Sequence, residues 1–176
     1  MYAYEDLQKE LERFPLGNCS WVLVIAMKEN RSRSNKLKIN NKFKPLPKEE
    51  GEEFFPNGIF EFNITKLLAF AVANPSLFPV EEILVKQYAI WDKKLLNEAT
   101  IETANLASPI VLGEISPGRF NVIDGNHRLE KARRQGLEKI SAYTFRVDHH
   151  LAFLTSQRAY EAFIKYWNSK IDDLES

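Results

Sequence analysis

Apolar positions along the chain fall into separate blocks with different periods. Between Tyr2 and Phe14, Tyr4, Leu7 and Leu11 recur three and four residues apart among charges, which predicts a short amphipathic helix ending before Pro15. Trp21 to Met27 is a continuous β-branched and aromatic run between Gly17-Asn18 and Lys28-Glu29-Asn30, the pattern of a buried strand. Ile59 to Ile64 alternates instead, placing Phe60, Phe62 and Ile64 on one side of a half-buried strand. Thr65 to Ala73 favours helix behind an Asn63 or Thr65 cap and stops before Pro75. Pro79 opens a second apolar run, Val80 to Val85. From Trp91 to Leu106 the period is weakly helical through Leu95, Leu96, Ala99 and Leu106, and it ends at Ser108-Pro109.

The pattern sharpens beyond residue 109. Ile110 to Ile115 and Arg119 to Ile123 read as strands joined by the turn sequence Ser116-Pro117-Gly118, which predicts a hairpin. Asp124-Gly125 leaves the second strand, Asn126 to Gln135 is helix-forming, Gly136 sits where a left-handed C-terminal cap belongs, and Ile140 to Arg146 returns as a strand. Near the end, Ala159, Tyr160, Phe163, Ile164 and Trp167 mark one strongly apolar helix face. The order of elements predicts an α/β (α+β) chain with a small mixed sheet and flanking helices.

Composition bounds this picture. A chain of 176 residues fits one domain with decorations, and 44 % hydrophobic residues suffice for a core. Lys plus Arg number 24, as do Asp plus Glu, so the net charge of zero excludes a general polyanion binder. The sum hides a polarised layout. Residues 28–48 hold eight Lys or Arg against Glu29 alone, a net +7, and four Glu follow between 49 and 53. Two readings stand for this basic stretch: a ribbon facing DNA, with Leu37, Ile39 and Phe43 interleaved, or a solvated loop rich in Asn and Ser. Cys19 is the single cysteine and reads as a core thiol. With no apolar run of ~18 residues and no signal-peptide build, the expected setting is the cytoplasm, with no membrane partner.

The candidate chemistry lies in Asp124-Gly125-Asn126-His127-Arg128. With Asp124 or Gly125 as cap, the backbone N–H groups of Asn126, His127 and Arg128 point out of a helix start, and with the positive end of the helix dipole they form an anion site. Gly125 lets a phosphate approach the backbone, and the His127 and Arg128 side chains add donors. A structural reading exists for each residue: Asp124 a cap, Gly125 a turn, Asn126 a polar first-turn residue, Arg128 a solvated charge. Asp148, His149 and His150 lack a third ligand at metal spacing, and no protein metal site is expected. Asp124, Glu81, Glu82 and Glu102 are the carboxylates in or near the relevant segments.

The stretch from Pro109 to about Tyr143 resembles the ParB/sulfiredoxin superfamily, whose core reads Pro, strand, hairpin, strand, D-G-x-x-R-(L)-x-A-x-x-x-G and a final strand. Phe78 to Ile83 is similar to that family's leading strand. The resemblance implies an N-terminal extension over residues 1–77, a core over 78–147 and a C-terminal helix over 148–176. It also implies a nucleotide, ATP or CTP with Mg²⁺, whose phosphates lie on Gly125, Asn126, His127 and Arg128. His127, Arg128 and Asp124 are the residues it suggests for catalysis. Sulfiredoxin carries its catalytic Cys where Asn126 stands, so sulfinic acid repair is not expected. ParB proteins carry a Glu there and a DNA-binding domain after the core, whereas about thirty residues follow Arg146 here. Short plasmid-encoded members, associated with ATP hydrolysis, DNA cleavage and inhibition of conjugative transfer, resemble this layout better. Three functions follow as expectations: a nucleotide hydrolase or nuclease, a non-catalytic nucleotide- or DNA-binding module, or a small-molecule kinase using ADP or ATP.

Overall fold

The computed structural model describes residues 35–58, 60–90 and 96–176. The helix expected over 2–14, the strand over 21–27, Cys19, residues 28–34 of the basic stretch and Trp91 to Leu95 lie outside the described residues. The chain is a mixed α/β protein, as the order of elements predicts, with one two-stranded and one four-stranded sheet among the described residues. It divides into two compact units: the described part of Met1–Ala69 with Ser116–Gly118 and Val147–Ser176, and Phe70–Ile115 with Arg119–Arg146.

In the first unit, β1 (Phe54–Asn57) and β2 (Phe60–Asn63) pair antiparallel with Phe55 opposite Phe62. Phe60 and Phe62 are buried as their alternation demands. The strand stops one residue short of Ile64, because the Asn63 side chain accepts the Lys66 N–H at 2.9 Å and starts helix α1 (Ile64–Ala73). Of the two caps the sequence offers, Asn63 is the one used. The C-terminal helix, numbered α5 below, spans Gln157–Glu175 and is capped by Ser156, whose hydroxyl accepts the Ala159 N–H. It buries Ala159, Tyr160, Phe163, Ile164 and Trp167, the face the spacing predicts.

The described part of the basic stretch is a loop. Residues 35–48 have no regular secondary structure and are mostly exposed, but they are pinned as a strap along the C-terminal helix. The Asn168 amide accepts the Leu37 N–H at 2.7 Å and donates to the Leu37 carbonyl at 2.9 Å. Tyr160 accepts the Asn40 N–H at 3.0 Å, and the Phe43 ring stacks on it with centroids 3.9 Å apart. Phe43 and Leu46 are buried, while Lys38, Lys42 and Lys44 remain exposed.

In the second unit the four-stranded sheet has the order β3 (Glu81–Leu84), β6 (Lys139–Phe145), β4 (Ile110–Ser116), β5 (Arg119–Asp124). β6 runs antiparallel to β3, with Ile83 opposite Ile140, and parallel to β4, with Ile110 opposite Ala142, so the sheet is mixed. All seven residues of β4 are buried, Glu114 and Ser116 among them, as expected of a strand flanked on both edges. Helix α2 is shorter than its sequence period suggests, Glu98–Thr103, and its buried residue is Ile101 rather than Ala99. Helix α3 (Asn126–Arg134) buries Leu129 and Ala132 in the core with Ile110, Leu112 and Ile140. Gly136 ends it at φ 68°, and the Leu137 N–H reaches back to the Ala132 carbonyl at 3.0 Å. Back in the first unit, a four-residue helix α4 (Val147–His150) precedes α5.

Candidate functional site

The connection from β5 to α3 sets the geometry of the Asp124 to Arg128 loop. Gly125 takes φ 89° and ψ 22° and occupies the N-cap position, and its carbonyl accepts the Leu129 N–H at 2.9 Å, the first bond of the helix. The backbone N–H groups of Asn126, His127 and Arg128 therefore have no acceptor inside the helix. A Cβ on Gly125 would stand 2.6 Å from Ile110 Cγ2 and 2.9 Å from the Arg128 guanidinium, so the position admits only glycine without displacement.

Asp124 is not the cap. Its Oδ2 accepts from Arg128 Nη2 at 2.6 Å, an i, i+4 pair across the glycine, with both side chains about one quarter exposed. The left-handed Gly125 fills the N-cap position, which puts Asp124 one residue outside it and frees its carboxylate to hold the guanidinium. Two polar atoms beside the glycine are buried without a hydrogen-bond partner, Arg128 Nε and Asn126 Oδ1. A buried donor or acceptor left unpaired is costly, and such atoms signal a ligand or an ordered water.

His127 is tied elsewhere. Its Nε2 accepts the backbone N–H of Asn97 at 3.1 Å, at the start of α2. An accepting Nε2 requires the neutral ring with its proton on Nδ1. Asn97 caps α2 by accepting the Thr100 N–H, and nothing local announces its bond to a residue thirty positions away.

The structure does not bring the other carboxylates together at this loop. Glu81 and Glu82 are exposed on β3, at the sheet edge opposite β5. Three strand spacings separate these edges, on the order of 14 Å. Glu82 faces Lys139 at 3.4 Å. Glu102 is exposed on α2, where its carbonyl rather than its carboxylate accepts Lys131 Nζ. His150 is fully buried edge-on to Phe62 and Phe163 and serves the core of the first unit. Asp148 lies within the first turn of α4. No group of three or more His, Cys, Asp or Glu able to hold a metal ion occurs among the described residues. For Mg²⁺, the only carboxylate in the loop is Asp124, itself engaged by Arg128, so the donor set fits a metal carried in by phosphate oxygens and not a protein cage.

Chemically, the arrangement is a donor cradle: three backbone N–H groups at a helix start, a guanidinium fixed from one side, and an imidazole with one donor. It is set at the end of a sheet strand in a small mixed α/β protein. No protein-family model, curated protein or solved structure matches this chain. No helix among the described residues is long and apolar enough to cross a membrane.

Proposed function

We propose that the Gly125 to Arg128 loop binds the phosphate of a nucleotide, and that the chain is a ParB/sulfiredoxin-like nucleotide-binding protein. The observation that carries this reading is the coincidence of three N–H groups without a helical acceptor at the α3 N-terminus with the unpartnered Arg128 Nε in the same turn. Phosphate oxygens are acceptors of the kind these donors lack. The unpartnered Asn126 Oδ1 then calls for a donor on the same ligand, such as the ribose hydroxyl or base amino group that a nucleotide carries.

Hydrolysis of a phosphoanhydride or phosphodiester is the activity that fits, with Arg128 and His127 stabilising charge on the transferred group. The engagement of Asp124 with Arg128 favours a second reading, a binding module without turnover, since it withholds the nearest carboxylate from acting as general base. A small-molecule kinase would need a base that the loop does not supply. DNA contact through the basic strap rests on exposed Lys38, Lys42 and Lys44, because Lys36 and Lys48 pair with Asp172 and Glu61.

Thermal shift with ATP, ADP, CTP and GTP, each with and without Mg²⁺, tests the proposal. Stabilisation should rise as RT ln(1 + [L]/Kd) and disappear in Arg128→Ala; no shift with any nucleotide refutes it. Phosphate release separates the enzyme from the module. A DNA gel shift at two salt concentrations tests the strap, and binding that ignores salt or fails removes DNA.

A further inference from the structure

Helix α2 is held by an unusual means. One of its six side chains, Ile101, is buried, and its two ends are fastened to α3 by polar groups. At its start, His127 Nε2 accepts the Asn97 N–H at 3.1 Å, and Glu98 takes both terminal nitrogens of Arg134. At its end, Lys131 Nζ donates to the carbonyls of Glu102 at 2.8 Å and Ala104 at 2.7 Å. His127, Lys131 and Arg134 are spaced four and three apart, one stripe of α3.

That stripe begins in the phosphate loop itself. His127 belongs to the first turn of α3 and also contacts α2. Its single hydrogen bond among the described residues uses Nε2 as acceptor, which leaves Nδ1–H as its donor.

We propose that α2 is a clasp that positions His127: the Asn97 N–H fixes the imidazole as the Nδ1–H tautomer and turns that proton toward an anion on the Gly125 to Arg128 loop. The inference rests on the phosphate reading of that loop and adds how its side-chain donor is set. Because coupling is reciprocal, an anion that accepts from Nδ1–H raises the basicity of Nε2 toward Asn97 and tightens α2. Occupancy of the loop and attachment of α2 then rise together, and α2 reports the bound state.

The test uses the full chain labelled with ¹⁵N in its three histidines, with His127→Gln assigning the signal and inorganic pyrophosphate and ATP as probes. Wild type is expected to show a protonated Nδ1 and a bare Nε2 at His127, and pyrophosphate should slow amide exchange at Asn97 and Ile101. Asn97→Pro removes the donor and should shift the ring toward the Nε2–H tautomer and weaken both probes about three- to tenfold, the worth of one hydrogen bond. Asn97→Ser, which keeps the N–H and a capping oxygen, should bind as wild type does. Lys131→Met loosens the far end of α2 without touching the loop, and should give a smaller loss that vanishes in a His127→Gln background. An Nε2–H ring in wild type, or equal affinity of Asn97→Pro and Asn97→Ser, overturns the clasp while leaving the phosphate site standing. Failure of wild type to bind either probe overturns both.

Discussion

Replacing Gly125 by Ala tests whether the loop has the geometry on which the phosphate reading depends. Two separable penalties follow from its position. A residue with a Cβ at φ 89° adopts the left-handed region at a cost of about 1–2 kcal/mol. The new methyl would also stand 2.6 Å from Ile110 Cγ2 and 2.9 Å from Ile110 Cβ, in a side chain that is fully buried and cannot swing away. Overpacking of this kind costs about 1–3 kcal/mol. Gly136→Ala is the internal control, since it sits at φ 68° with nothing within 4 Å of the added Cβ, and carries the conformational penalty alone. Both variants gain the same small offset from a less flexible unfolded chain, which cancels in their difference. Urea denaturation followed by circular dichroism should give Gly125→Ala a loss of about 2–5 kcal/mol, larger than that of Gly136→Ala by about 1–3 kcal/mol, with unchanged m. Equal losses would refute the close contact with Ile110, and with it the space argument for Gly125. Because the same methyl reaches the Arg128 guanidinium at 2.9 Å, the nucleotide shift should fall in Gly125→Ala and persist in Gly136→Ala.

Other perturbations address the first unit. Lys66 is buried against Glu52 at 3.1 Å, so Lys66→Met strands a buried carboxylate and should cost about 3–5 kcal/mol by urea unfolding; a loss under about 1 kcal/mol would show that the pair is not desolvated. Burial pushes the Glu52 carboxyl up, but bonds from the Glu49 N–H, Lys66 and Asn63 outweigh it, and its pKa lies below the usual 4.5. The unfolded chain then takes up the proton first as pH falls, so this stabilisation is complete above about 4.5 and is lost as pH drops through the lower folded value. Urea midpoints between pH 7 and 3 should decline on that side, less steeply in Glu52→Gln, and parallel curves would refute the assignment. Phe43→Ala removes the ring stacked on Tyr160 and should release the strap, read as faster tryptic cleavage after Lys38 and Lys42; unchanged cleavage would show that backbone bonds to Asn168 and Tyr160 suffice.

What was legible in the sequence was what short-range periodicity controls. The buried face of α5 follows from the spacing of Tyr160, Phe163 and Trp167, and the β4–β5 hairpin and the Gly136 cap follow from turn chemistry. Two local devices competed at Asp124, capping and an i, i+4 pair with Arg128, and propensity does not rank them; the left-handed Gly125 decides for the pair. The rest depends on partners far apart in the chain. Insertion of β6 between β3 and β4 carries Glu81 and Glu82 away from the loop, and strand order is not encoded in any one segment. The pinning of the strap at 35–48 is not legible locally, because Asn168 and Tyr160, which hold it, are 120 or more residues away. Asn97 and His127 meet for the same reason, across a separation of thirty residues.

The distribution of charge in the loop bears on which ligand it can hold. Asp124 neutralises Arg128, so the pair contributes little net field and the cradle does not act as a cluster of cations. Its attraction for an anion comes from oriented N–H dipoles at the start of α3, which fall off within about one helical turn. In the proposed reading such a site favours a small anion seated on the helix start, and offers little to a polyanion passing at a Debye length. Lys38, Lys42 and Lys44 present the opposite case: exposed point charges in the other unit, with long reach and no shape. Zero net charge is therefore compatible with both a nucleotide at the loop and nucleic acid at the strap, and salt separates them. Binding at the loop should survive salt that abolishes binding at the strap, because backbone donors release few counterions when they close on a phosphate.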